Sequence, residues 1–289
     1  MGLRRGGPAA PGLEPGGPQA LSGLRHAALV RPVLGRGRFH RHACHLHRGV
    51  QSVRRAALIS GLAVLALVWI GPLLTAWRES VLAHMTAHMA VVAVAAPLIA
   101  IGLGTDRRST LLLTWWEKVS PRAAAEGASS PFLTSLPVIA SLVELIIVWG
   151  WHAPAARAFA ETSVPGTVLE QGSFLFAGVL LWHACLNGGD EEGGAAAGAF
   201  GLLLTSVHMT LLGALLALSE RPLYGAGEVT CFGLTLTAGQ DQQLGGVVML
   251  LIGAAVYLAG GVALLARLLR LAPVRPGDSA APRGGGAPG

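Results

Sequence analysis

Residues 80–103 read SVLAHMTAHMAVVAVAAPLIAIGL, a stretch that carries two histidines and two methionines but no Asp, Glu, Lys or Arg. About 20 predominantly apolar residues are enough for an α-helix to cross a bilayer. Residues 80–103 therefore predict a transmembrane helix. Its first turns are rich in imidazole and thioether side chains, and its second half is almost entirely apolar.

The same apolar pattern recurs along the middle of the chain. Of the 289 residues, 52% are hydrophobic and 12% charged, against roughly a quarter charged in an average soluble domain, which excludes an ordinary soluble globule. We predict an all-α, polytopic transmembrane helix bundle of about six spans. The predicted spans are residues 56–77, 80–103, 131–152, 167–187, 196–219 and 240–269.

The two ends of the chain are rich in Gly, Pro and Arg and contain no long apolar run. We expect a disordered N-terminal tail at 1–52 and a disordered C-terminal tail at 272–289, on either side of a transmembrane domain at 53–271. The segment HRHACHLHR at 40–48 is either a metal-loading arm or a solvated basic tail near anionic lipid.

Basic residues flank the spans unequally, and this predicts the orientation. Ten of the twenty Arg precede residue 56 and four follow residue 266, while the loop at 104–130 holds four further basic residues. The alternate loops hold only Arg78, Arg157 and Arg221. Because cytoplasmic loops carry the excess of Lys and Arg, both termini are expected in the cytoplasm. The net charge of +6 then needs no nucleic-acid partner.

In this orientation, several polar side chains fall at the outer ends of their spans. Charged and imidazole groups in a membrane are costly unless they face the bundle, pair or bind a ligand. We therefore expect a shared polar site near the outer leaflet. Its candidate members are His84, His88, His152, Glu170, Gln171, Asp241, Gln242 and Gln243.

The most specific local pattern is HMTAHM at 84–89. His84 and His88 lie four residues apart on one helix face, and Met85 and Met89 repeat beside them. Imidazole nitrogen together with thioether sulfur suits copper, and thioether favours Cu(I). The alternative is that both histidines form hydrogen bonds across helices and the methionines fill gaps. Met85 stands where the general-base Glu of a zinc protease would be, so that activity is disfavoured.

The segment QDQQLGG at 240–246 opens the last span, and Met249 follows it as a further soft metal ligand. Asp241 has three possible roles: binding metal, orienting a ligand histidine, or capping the last helix at its N-terminus. Gln242 is a supporting polar residue. Gly245 and Gly246 would let another helix approach closely.

Glu144 and His208 lie near the middle of their spans. Glu144 needs a partner on another helix, and His208 is the expected one. A protonated Glu144 with an ordinary hydrogen bond is the alternative. His208, which precedes Met209, is either an inward relay step or the donor of a hydrogen bond in the core.

Several of these segments occur in a fixed order along the chain. They are HMTAHM at 84–89 followed by Pro97 and Gly102, Trp151-His152-Ala153-Pro154, Leu169-Glu170 with Phe174, Arg221-Pro222-Leu223-Tyr224, and DQQLGG at 241–246 with Met249. This set resembles the CtaG-like cytochrome c oxidase assembly factors, which are multispan bacterial membrane proteins. Family members usually carry a His where this chain has Gln171.

The resemblance implies a multi-pass protein of the bacterial plasma membrane, without enzymatic activity, that helps to assemble a haem-copper oxidase. Its partners would be an oxidase subunit and the lipid bilayer, and its cargo copper for the binuclear centre. The set of metal ligands predicted from the residues is His84, His88, Met85, Met89, His152, Asp241 and Met249, with Glu144, Glu170, His208 and Gln242 as supporting polar groups.

Three other classes remain open at this point. A proton or ion transporter would use Glu144, His208 and Asp241, although no inverted repeat supports it. A scaffold would stabilise an oxidase subunit without binding metal. A b-type haem carrier would need partners such as His152 or His208, since His84 and His88 on one face cannot both ligate one haem. An enzyme has the least support, because no pair of nucleophile and base emerges.

Overall fold

The computed structural model describes the backbone of residues 36–104, 131–187 and 192–271, and the side chains of 49–104, 135–187 and 193–270. The chain divides into two compact units, residues 1–47 and 48–289. In the first unit only the helical backbone from Arg36 is described. The histidine-rich side chains at 40–48, residues 105–130 of the basic loop and the C-terminal tail lie outside the described residues.

The described residues form a bundle of helices, so the predicted all-α membrane fold is confirmed. Among the described residues, five helices are long and apolar enough to cross a membrane, and six if a pair bent by 74° at residues 152–153 counts as one span. The elements are α1 (Arg36–Ile70), α2 (Val81–Met89), a π-helical segment (Ala90–Ala95), α3 (Ala96–Leu103), α4 (Pro131–Trp151), α5 (Pro154–Thr162), α6 (Val164–Leu186), α7 (Glu192–Leu218), β1 (Glu228–Cys231), β2 (Leu234–Thr237) and α8 (Ala238–Leu271).

Two predicted boundaries differ from the observed ones at α1. The expected tail boundary at residue 52 lies inside α1, because the helix begins at Arg36. The helix also ends at Ile70, before the predicted 77, and a turn follows in which the Pro72 carbonyl accepts a hydrogen bond from the Ala76 amide at 2.9 Å. Proline restricts the residue before it to extended conformations, so Gly71-Pro72 ends the helix.

Two short elements near the ends of the spans were not predicted from the sequence. Helix α5 begins at Pro154, a residue suited to the first turn of a helix. The antiparallel hairpin β1–β2 connects α7 to α8, and its turn contains Phe232 and Gly233 with φ angles of 53° and 76°. Hydropathy finds long apolar runs, and both elements are too short to produce one.

The span Val81–Leu103 lies at the centre of the bundle. In Val81–Leu103, 56% of the most apolar window is buried inside the protein, against 17% in the first span, Gly49–Ile70. The π-helical segment interrupts this span, and the Val92 carbonyl within it accepts a hydrogen bond from Trp182 Nε1 at 3.1 Å. An α-helix widened in this way often marks a functional position.

Glycines set the distance between α7 and α8, which pack antiparallel. A Cβ atom at Gly246 would lie 2.5 Å from the Ala217 amide nitrogen and 2.7 Å from the Gly213 carbonyl oxygen. Both neighbours are backbone atoms and have no flexible side chain to move aside. Close backbone approach at small residues is how membrane helices gain packing energy in the absence of a hydrophobic driving force between them.

We expect Gly246→Ala to lower the free energy of unfolding by about 1–3 kcal/mol, because the added methyl overpacks a backbone contact. The measurement is equilibrium unfolding of the detergent-solubilised protein. The matched control is Gly172→Ala on α6, where an added Cβ meets nothing within 4 Å. Equal stability of the two variants would contradict the packing described.

Candidate functional site

Three histidines converge at the end of the bundle that holds Ser80 and Asp241, called here the histidine end. The ring centroids of His84 and His152 are 6.2 Å apart, and those of His88 and His152 are 5.7 Å apart. All three side chains are buried, with His88 fully enclosed. The i, i+4 spacing on α2 places His84 and His88 on one face, and the end of α4 brings His152 against that face.

His152 is fixed in one orientation by its backbone. Its Nδ1 donates a hydrogen bond to the Val148 carbonyl at 2.6 Å. In the neutral ring this leaves Nε2 as the nitrogen with the lone pair. His152 Nε2 lies 3.3 Å from Met85 Sδ, so imidazole and thioether donors adjoin. Metal-binding histidines commonly donate their other nitrogen to a backbone carbonyl in this way.

The other two histidines have unused ring nitrogens. In the part of the chain that is described, His84 Nε2 and both ring nitrogens of His88 have no hydrogen-bond partner, although they are buried. A buried polar atom without a partner costs about 1–3 kcal/mol. These nitrogens are therefore suited to accept a ligand that supplies the missing interaction. No three His, Cys, Asp or Glu side chains among the described residues already converge as ligands of one metal ion, so the rings would have to rotate.

Glu170 adjoins the cluster from α6. Its Oε1 lies 3.5 Å from His84 Nε2, which is longer than an ordinary hydrogen bond. Its Oε2 accepts a hydrogen bond from Gln171 Nε2 at 3.4 Å, and both side chains are buried. Gln171, which stands where the resembling proteins usually have a histidine, thus steadies Glu170 here.

Asp241 holds the N-terminus of a neighbouring helix. Its carboxylate accepts hydrogen bonds from Ser80 Oγ and the Val81 amide, both at 2.6 Å, and from the Leu82 amide at 3.3 Å. The first amides of a helix lack partners within the helix, and the helix dipole favours a negative charge there. A cap of the last helix was one of three roles left open for Asp241 by the sequence, and the helix that Asp241 caps is α2.

Gln242 fixes a loop that in turn holds His152. Gln242 Oε1 accepts a hydrogen bond from the Leu223 amide at 2.6 Å, and its Nε2 donates to the Leu216 carbonyl at 3.3 Å. Tyr224, which follows Leu223 in the chain, donates a hydrogen bond from its hydroxyl to the His152 carbonyl at 2.7 Å. Burial raises the pKa of the Tyr224 phenol to about 12, so the donor keeps its proton at neutral pH.

Two arginines, Arg78 and Arg157, border the site. From the sequence they were assigned a role only in the orientation of the spans. Arg157 Nη2 donates to the Arg78 carbonyl at 3.0 Å, and the Arg78 guanidinium donates to Thr167 Oγ1. Together with His84 and Glu170 they line a void of about 10 Å³, room for about one water molecule. Arg78 also lines a groove of about 480 Å³ on the surface of the histidine end. In the sequence, Arg78 and Arg157 each follow the end of a predicted apolar span, and this position was the available sign that they border the site.

The predicted methionine ligands separate into two layers. Met85 lies in the histidine cluster, as its contact with His152 shows. Met89 lies deeper, where its Sδ is 3.9 Å from the position that a Cβ of Gly253 would occupy. Met249 is fully buried on α8, one helical turn before Gly253.

Glu144 is paired, but not with the expected partner. Its Oε1 accepts a hydrogen bond from the Tyr257 hydroxyl at 2.8 Å, whereas both ring nitrogens of His208 have no partner among the described residues. The expected Glu144–His208 pair is therefore wrong, and Tyr257 on α8 takes that place. Tyr257 was not predicted as the partner, because a tyrosine in an apolar span cannot be distinguished in the sequence from a residue that only packs in the core.

The profile of the cytochrome c oxidase caa3 assembly factor family matches residues 33–271. The chain belongs to this family. A search of curated proteins and a search of solved structures each find no match. This protein is thus an assembly factor for cytochrome c oxidase, and the family suggests a role without catalysis.

The segments that carried the resemblance meet at the histidine end of this assembly factor. HMTAHM supplies His84 and His88, the Trp151–Pro154 segment supplies His152, and the Leu169-Glu170 pair supplies Glu170. The remaining two segments, with Tyr224 and Asp241, hold those residues in position. Three of the segments thus line the histidine cluster, and the other two support it.

We expect Asp241→Asn to lower the free energy of unfolding by about 2 kcal/mol, because an amide replaces a charged acceptor of three hydrogen bonds. Ser80→Ala should lower it by less, and the double variant by less than the sum, since the two groups share one interaction. Gln243→Ala, an exposed neighbour, is the control. Additive effects in equilibrium unfolding would contradict the shared cap.

Proposed function

We propose that this assembly factor holds Cu(I) at the histidine end and passes it to a subunit of the oxidase. The ligands are His84, His88 and His152, together with the Met85 thioether. The observation that carries the proposal is the set of buried imidazole nitrogens without hydrogen-bond partners next to a thioether sulfur.

The separation of the rings supports a shared ion. Because a metal–nitrogen bond is about 2 Å long, two imidazoles that bind one ion have ring centroids about 5 to 6 Å apart. The separations of 5.7 Å and 6.2 Å around His152 are close to this range. Small rotations of the His84 and His88 rings would direct their free nitrogens to a common point.

The chemistry of the donors favours Cu(I) over other metals. Thioether and neutral imidazole are soft and borderline ligands, which suit Cu(I), whereas Mg²⁺, Ca²⁺ and Mn²⁺ prefer oxygen. The two nearby carboxylates have other roles, because Asp241 caps α2 and Glu170 is held by Gln171. With neutral ligands the bound Cu(I) site keeps a single positive charge. Because copper is bound and released as Cu(I), transfer needs only the exchange of ligands and no redox step.

The orientation that the basic residues predict gives the direction of transfer. The protein is a multi-pass protein of the bacterial plasma membrane with both termini in the cytoplasm, so that the histidine end faces outward. The surface groove and the void at His84 and Glu170 have Arg78 as a common lining residue. A docked oxidase subunit would take copper through this opening, with its own ligands replacing the imidazoles one at a time.

Replacing His84 and His88 together by Ala should lower the affinity for Cu(I) by more than about 100-fold, because loss of ligands costs more than loss of the groups that orient them. Affinity is measured on the purified protein by competition with a Cu(I) chelator. His183→Ala, which changes a half-buried histidine on α6 outside the cluster, is the matched control. Unchanged affinity together with an unchanged amount of bound copper in the double variant would refute the site.

The same variants separate copper delivery from a metal-free scaffold in cells. We expect the His84→Ala, His88→Ala variant to accumulate normally in membranes while the purified oxidase loses copper relative to haem. The His183→Ala strain should assemble the oxidase with its full copper content. An oxidase with full copper content from the double-variant strain would contradict delivery and leave a scaffold that acts without metal.

A further inference from the structure

We propose a second Cu(I) site in the membrane interior, formed only by the thioethers of Met89, Met209 and Met249. The inference rests on the proposed function, because it concerns the same cargo one layer deeper in the bundle. Met209 was identified in the sequence only as a neighbour of His208. Its position near Met89 comes from the packing of α2 and α7 against Gly253 of α8.

One face of α8, which carries Met249, packs against methionines of α2 and α7 in order from the histidine end inward. At Gly245, a Cβ would lie 3.1 Å from Met85 Cγ on α2. Two turns deeper, at Gly253, a Cβ would lie 3.9 Å from Met89 Sδ and 3.2 Å from Met209 Cβ. Met249 occupies the same face midway between these two glycines, since residues four apart share a helix face.

All four methionines other than Met1 belong to this arrangement. Each has a relative exposure of 0% or 1%, so none of the sulfurs faces lipid. Glycines on α8 leave the space that flexible thioether side chains occupy. Leucine would pack such positions with less loss of conformational freedom, whereas methionine adds a soft ligand.

The composition of this layer selects the ion. Three thioethers without a carboxylate are poor ligands for Zn²⁺, which prefers nitrogen, thiolate and carboxylate, and good ligands for Cu(I). The face ends at Tyr257, whose hydroxyl donates to Glu144, and oxygen there does not suit Cu(I). Copper would move between the two layers by exchanging Met85 and imidazole ligands for the deeper sulfurs.

The test compares Cu(I) stoichiometry in the full-length, detergent-purified protein, loaded anaerobically against a Cu(I) chelator. We expect two equivalents of copper in the wild type, one in Met89→Leu, Met209→Leu, and one in His84→Ala, His88→Ala. Leu181→Met, a swap of the same two residue types at a fully buried position on α6, is the matched control and should keep two equivalents. Zn²⁺ offered to the His84→Ala, His88→Ala variant should not bind at the thioether site.

The outcomes separate this inference from the proposed function. One equivalent in the wild type, kept in the methionine variant and lost in the histidine variant, would overturn the second site and leave the first. One Zn²⁺ bound by the histidine variant but not by a variant that also carries the methionine substitutions would overturn the thioether-only assignment. No copper in any variant would overturn both proposals.

Discussion

The hydrogen bonds between the Asp241 carboxylate and the N-terminus of α2 are the contact on which the histidine end depends. It joins two segments that are 160 residues apart in the sequence, because Asp241 accepts hydrogen bonds from Ser80 and from the first amides of α2. Because Val81 and Asp241 are buried, the carboxylate satisfies amides that have no partner within the helix, and it fixes α2 against α8. His84 lies one turn beyond this cap, and its position follows from it.

A second constraint is that buried polar groups need hydrogen-bond partners. At the histidine end some buried polar groups have such partners and others do not. The side chains that support the site are satisfied: Gln242 holds the loop of Tyr224, and Tyr224 holds the backbone of His152. The groups at the centre are not, since His88 has no hydrogen bond at either nitrogen. A rigid, satisfied surround with unsatisfied nitrogens inside it is the pattern expected of a preorganised binding site.

The sequence predicted the spans and the meeting of distant segments because hydropathy and charge are properties of long stretches. It located His84, His88 and His152 at one end of the bundle, since span polarity alone decides which ends meet. It could not predict pairings that depend on rotation about the helix axes: Tyr257 rather than His208 contacts Glu144. For the same reason the role of Asp241 as the cap of a different helix required the packed structure.

The most direct test of the account is X-ray absorption at the copper edge, on the purified protein loaded with a single equivalent of Cu(I). The account predicts a ligand shell that contains both nitrogen and sulfur, from the imidazoles and Met85, and a shell that loses nitrogen in the His84→Ala, His88→Ala variant. A shell of oxygen ligands alone, or a spectrum that the histidine substitutions leave unchanged, would contradict a copper site at the histidine end.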